Sequence, residues 1–383
     1  MPQSTDGDRP RFSSRARWSA PKNRLALARE RRRGEIFDLT ESNPTRAGFD
    51  YPLEELASAM GRAARTPYSP DPYGLPSARE ALSTELQCEA DELVLTASTS
   101  EAYSFLFKLL CDAGDAVLSA VPSYPLIAEI AALDLVSVRH FALDLHGRWE
   151  VDAGRIRAAL TDRVQAVVAV NPNNPTGSFL DAHDQAAIAA CGLPVICDEV
   201  FLQYGLERRG TAFAGDDVLT FNLGGLSKSA GLPHYKLGRI RVRGPEPKRR
   251  QAIAALAVIA DNFLSAATPV QAALPELLRI APRIRAAIAD RLQRNLRSLD
   301  AALAGVGSAR RLPVEGGWSA VVRMPSTESD EAFALRLLEQ SGVLVHPGYF
   351  FDFPSDGFFV VSLLTAPEVF DEGIRRVAGM IPR

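Results

Sequence analysis

Residues 219–238 read Leu219-Thr220-Phe221-Asn222-Leu223-Gly224-Gly225-Leu226-Ser227-Lys228-Ser229-Ala230-Gly231-Leu232-Pro233-His234-Tyr235-Lys236-Leu237-Gly238. The apolar run at 218–223 reads as a buried strand. It ends in a glycine turn, then Ser-Lys, then a second Gly/Pro-rich turn and another apolar run from Leu237 to Val242. Burial just past a strand end disfavours an ammonium and lowers its pKa. A neutral amine there can form an imine with an aldehyde. Taken alone, Lys228 is more simply a surface lysine in a loop, and the pattern around it decides the matter.

Outward from this stretch, short apolar runs recur at 93–97, 116–120, 135–141, 164–170, 193–197, 218–223 and 237–242. Helical stretches at 100–111, 124–133, 152–160 and 181–190 separate several of them. Such alternation predicts an α/β fold, a mostly parallel seven-stranded sheet with helices on both faces. Before it, residues 1–20 read as a mobile arm, and Asn23 to Arg33 as a helix stopped by Gly34. Ile36 to Thr40 reads as a short strand leading into the polar loop 41–46. Beyond residue 250 come long helices at 247–265 and 269–304, strands at 318–324, 343–345 and 358–364, and a helix at 328–341. The division expected is a large domain at 50–265 and a smaller α+β domain built from 21–49 and 266–383.

With 383 residues, 46% apolar and 23% charged, the chain can bury a large core. A net charge of −3 gives no overall basic field for nucleic acid, although the first 33 residues hold ten Arg or Lys. The four cysteines show no CxxC pair and no metal spacing. No apolar run approaches a membrane span, and no secretory h-region is visible at the N-terminus. A reducing, cytoplasmic location fits.

In open α/β sheets ligands sit beyond the carboxyl ends of strands. The run at 93–97 ends in Ser98-Thr99-Ser100-Glu101, hydroxyls at a helix N-terminus that can cap it or receive a phosphate. The run at 116–120 ends in Pro122-Ser123-Tyr124-Pro125, whose tyrosine can stack on a ring or plug the core. The run at 164–170 ends in Asn171-Pro172-Asn173-Asn174-Pro175-Thr176-Gly177, a rigid turn suited to aiming an amide. The run at 193–197 ends in Asp198, an acid that needs a cation or donor there; a helix cap is the plainer alternative.

Taken in order, Ser98-Thr99-Ser100, Tyr124, Asn174-Pro175-Thr176-Gly177, Asp198, Ser227-Lys228 and Lys236 resemble the fold-type I pyridoxal-phosphate enzymes, and more narrowly the class I/II aminotransferases. The resemblance runs from about Leu39 to the C-terminus, and Tyr68 to Arg79 matches the family's Tyr…Gly-x-x-x-Leu-Arg segment with Ala78 in place of Leu. It implies that Lys228 holds pyridoxal 5'-phosphate as a Schiff base and later moves the substrate's proton. Asp198 would pair with the ring nitrogen, Asn174 would donate to the ring oxygen and Tyr124 would stack. Ser98, Thr99, Ser100 and Lys236 would hold the phosphate. Tyr68 would reach the cofactor of a neighbouring subunit, which implies a homodimer with shared active sites. The substrates implied are an amino acid, or a related amine, and a 2-oxo acid.

Four positions depart from the family pattern. Phe201 replaces a tyrosine, Gly225 a Ser or Thr, and Lys236 an Arg, trading a fork for a point charge. Val360 stands where an arginine usually grips the substrate α-carboxylate. Arg46 is the candidate replacement, with His234 and Tyr235 as further ones. The missing arginine keeps other pyridoxal-phosphate reactions open (lyase, cyclase, decarboxylase or racemase), and a non-catalytic binding protein is a more distant alternative. Gly225-Leu226-Ser227-Lys228-Ser229 falls one residue short of a G-x-S-x-G nucleophile elbow.

Overall fold

The computed structural model describes Ser13, Arg15 and residues 21–382. The N-terminal arm expected at 1–20 lies outside the described residues, those two apart. All seven strands form one sheet. Its order is Leu93–Thr96, Gly238–Arg243, Thr220–Gly225, Val195–Asp198, Val164–Val170, Ala116–Val121, Ser137–Ala142. Every pairing is parallel except those of Gly238–Arg243, which runs against both neighbours. The central strands are buried on both faces, which is why they read as unbroken apolar runs.

The single reversed strand decides where the site lies. It begins at Gly238, opposite both Gly225 and Thr96. Lys236 therefore returns to the same sheet edge as the carboxyl ends of the parallel strands. The close approach needs glycine: a Cβ on Gly225 would meet Leu237 O at 2.8 Å, and one on Gly238 would meet the Ser98 carbonyl carbon at 2.8 Å. Gly225 is thus a packing requirement, and a Ser or Thr there would push against the neighbouring backbone.

A second, four-stranded antiparallel sheet has the order Arg310–Arg311, Ser319–Arg323, Phe358–Ser362, His346–Pro347. The N-terminal strand Phe37–Asp38 pairs in parallel with Val343–Leu344, and Ser362 N donates to Leu39 O at 2.7 Å. The helix expected at 269–304 runs unbroken as Thr268–Leu303, 36 residues with Pro275 and Pro282 inside it. It packs on the helices Leu53–Ala63, Pro76–Leu86 and Pro367–Met380. Polar staples fix it: Gln271 Oε1 accepts from Leu75 N at 2.6 Å, and Gln293 Nε2 donates to Leu206 O at 2.9 Å. Arg291 donates to Ala47 O at 3.0 Å, and Asn295 Nδ2 to Leu363 O at 2.8 Å and Thr365 O at 2.7 Å. Among the described residues no helix is long and apolar enough to cross a membrane.

Candidate active site

A cavity of about 300 Å³ opens between the carboxyl edge of the large sheet and one face of the small one. The segment 225–228 enters it where the strand Thr220–Gly225 passes into the short helix Leu226–Ser229. Lys228 Nζ donates to Ser42 O at 3.2 Å and lies 5.0 Å from the Trp318 ring and 5.9 Å from Phe201. Burial lowers its pKa, opposed by the carboxylates of Glu41 and Asp198. Phe201 and Trp318 pack with centroids 5.2 Å apart, so the missing tyrosine is replaced by part of an apolar wall.

Asp198 ends its strand facing the same cavity. Its Oδ2 accepts from the Tyr103 hydroxyl at 3.1 Å and its Oδ1 from Val200 N at 3.1 Å. Burial nevertheless raises its pKa to about 6, against those two donors and Lys228. It is an acid poised to accept or share a proton. Tyr103 was not legible as a site residue: it lies on the helix Thr99–Leu110, 95 residues away in sequence.

Asn174 Oδ1 accepts from Ser319 Oγ at 3.5 Å, which leaves its NH₂ group toward the cavity without a protein acceptor among the described residues. Tyr124 lines the opening, 44% exposed. At the far end Ser98 caps its helix, accepting from Glu101 N at 3.2 Å. The N–H groups of Thr99 and Ser100, in the first turn, have no intrahelical partners. Those groups, Ser227 and Lys236 line one end of the cavity, and Lys236 has no carboxylate partner among the described residues.

Four expected residues are elsewhere. Arg46 points out to solvent, its side chain 76% exposed and 3.9 Å from Glu41; the neighbouring Ser42 lines the cavity instead. His234 and Tyr235 pack on each other with tilted rings, centroids 4.3 Å apart, in a 3₁₀ turn and do not line it. Tyr68, 70% exposed, borders a separate surface cleft. Val360 does line the cavity, 1% exposed, together with Ser319, His346, Phe351 and Ser362, of which only Val360 was singled out from the sequence.

The donor set fits pyridoxal phosphate. Free N–H groups, hydroxyls and a lone lysine suit a phosphate at one end. A proton-seeking carboxylate suits a ring nitrogen, and a desolvated amine suits an aldehyde. The pattern of the aminotransferase class I and II family matches residues 35–377. The chain is 27% identical over 377 residues to the glutamate-pyruvate aminotransferase AlaA of Haemophilus influenzae, covering 94% of this chain and 93% of that one. It is 27% identical over 373 residues to the valine–pyruvate aminotransferase of Mycobacterium tuberculosis, covering 93% and 94%. A Thermus thermophilus aspartate aminotransferase double mutant superposes with a TM-score of 0.83 at 25% identity, covering 97% of this chain and all of that one. The lysine, the acid and the fold that frames them have one common explanation: the chain belongs to the class I and II aminotransferases, enzymes that use pyridoxal phosphate.

Proposed function

We propose that Lys228, Asp198 and Asn174 are the working groups of an amino transfer between an amino acid and a 2-oxo acid. The observation that carries this reading is the Lys228 amine, depressed by burial and facing a cavity that also holds Asp198. Bound pyridoxal phosphate supplies an aldehyde for amines and a ring that takes up an electron pair. Ser98, Thr99, Ser100, Ser227 and Lys236 bind its phosphate. Asp198 keeps a proton on the ring nitrogen, with Tyr103 and the Val200 N–H orienting the carboxylate. Asn174 would donate to the ring oxygen and Tyr124 would cover the ring, while Trp318 and Phe201 would exclude water on the Lys228 side. Lys228 Nζ would take the proton from the substrate's α-carbon and return it.

Tyr68 belongs to the same scheme if two copies pair, since it is exposed and outside its own chain's cavity; the proposal is a cytoplasmic homodimer. The division into a part at 50–265 and a part from 21–49 with 266–383 is supported by the pairing of Phe37–Asp38 with Val343–Leu344. The test is the visible absorption of the holoenzyme, titrated with L-alanine, L-valine and L-glutamate, then with 2-oxo acids. Amino acids should shift the band and 2-oxo acids restore it. Release of ammonia with no acceptor present would point to elimination and overturn the reading.

A further inference from the structure

The wall of the cavity opposite the large sheet is one face of the four-stranded sheet. Ser319 stands opposite Ser362 there, and Val360 opposite His346. All four line the cavity. Directly opposed residues on one face of an antiparallel pair have Cβ atoms about 4.5–5.5 Å apart. The imidazole therefore stands beside the small side chain of Val360, next to the space a long side chain at that position would fill. Its ring is held 5.9 Å from Phe350 and 5.8 Å from Phe351, centroid to centroid. Neither ring nitrogen has a hydrogen-bond partner among the described residues.

Among the described residues no arginine lines the cavity. Of the groups there able to carry positive charge, Lys228 and Lys236 are taken by the cofactor scheme, which leaves His346. Ser362 Oγ is engaged, donating to Glu41 O at 2.6 Å, and Ser319 Oγ reaches Asn174. A carboxylate on the Val360 side thus meets the unengaged imidazole of His346, which can present N–H from either nitrogen; Trp318 Nε1 and the Asn174 amide, which also line the cavity without partners among the described residues, carry no charge. We propose that His346 binds the α-carboxylate of the amino-acid substrate, the role that Val360 cannot fill; this rests on the aminotransferase reading. Burial lowers the pKa of His346 while the Asp38 carboxylate opposes that, and a second carboxylate in the cavity acts in the same direction as Asp38.

The test compares amino acids with the amines that lack only their carboxylate. Titrations of holoenzyme absorption with L-valine against isobutylamine, and L-alanine against ethylamine, give apparent dissociation constants. His346→Ala should weaken the amino acids about tenfold or more, the scale of a hydrogen bond to a charged group, and leave both amines within about twofold on the same scale. His346→Gln, which keeps an N–H donor, should recover part of the loss, and Val360→Arg placed in the His346→Ala protein should recover more. Cofactor occupancy, measured on each variant, reports on folding. Equal weakening of amino acid and amine, or weakening of neither, overturns the assignment. A wild-type holoenzyme that responds to no amino acid removes the aminotransferase reading itself, whereas a response untouched by His346→Ala removes only the histidine.

Discussion

Replacing Asp198 with Asn should stabilise the protein without its cofactor and disable it with the cofactor. The carboxyl has two donors, Tyr103 and the Val200 N–H, yet burial outweighs them and lifts its pKa from 3.8 to about 6. At 1.36 kcal/mol per pKa unit, that rise corresponds to about 3 kcal/mol of destabilisation once the group is ionised. The folded pKa lies above the unfolded one, so the folded apoprotein holds the proton more tightly. The favourable contribution is complete below pH 3.8, declines as pH rises, and is gone above about 6. An amide carries no charge to desolvate. The melting temperature of apo Asp198→Asn should therefore exceed that of the apo wild type at about pH 8, and the gap should close as pH falls through 6 toward 4. With cofactor present the order reverses in rate: loss of the charge facing the ring nitrogen should slow the half-reaction about 10²-fold or more. Scanning fluorimetry across pH and stopped-flow absorbance measure the two arms. An apo variant no more stable than wild type at about pH 8, or a gap that ignores pH, would refute the reasoning that desolvation dominates this carboxyl.

Three further outcomes follow from the same geometry. Lys228→Ala should abolish turnover while the folded protein still binds pyridoxal phosphate, and borohydride should label a peptide containing residue 228 in the wild type only. Arg46→Ala should leave KM for the best amino acid within about twofold, because a solvent-exposed ion pair contributes little; a tenfold rise in steady-state KM would return Arg46 to the site. His346→Ala should separate amino acids from amines in binding, as set out above.

The strands were legible because each central strand is buried on both faces and bounded by turns, as at Val164–Val170. The strand ends carried the chemistry of Lys228, Asp198 and Asn174, so the cofactor side of the cavity could be read from local pattern. The substrate side could not. His346 sits on a strand of two residues, His346–Pro347, and faces the cavity only because it pairs with Phe358–Ser362. Tyr103 reads as one more residue of an amphipathic helix, and its hydroxyl matters through a contact with a strand end distant in sequence. Arg46 was attractive by type and loop position, but its direction is set by Glu41 and by solvent. The helix Pro76–Leu86 left little signal because only Ala78 and Leu82 are buried along it.

The helix Thr268–Leu303 lends no side chain to the cavity, yet it times the whole arrangement. At 1.5 Å per residue it runs about 54 Å. It meets Leu75 through Gln271 near its start, and Leu363 and Thr365, just past Ser362, through Asn295. One residue inserted between these points, after Arg285, would turn everything downstream by about 100° and advance it by about 1.5 Å. Arg291, Gln293 and Asn295 would leave their carbonyls together, and with them the hold on the strand that carries Val360 and Ser362. The site's two walls are kept in phase by a rod that neither of them touches with a reacting group.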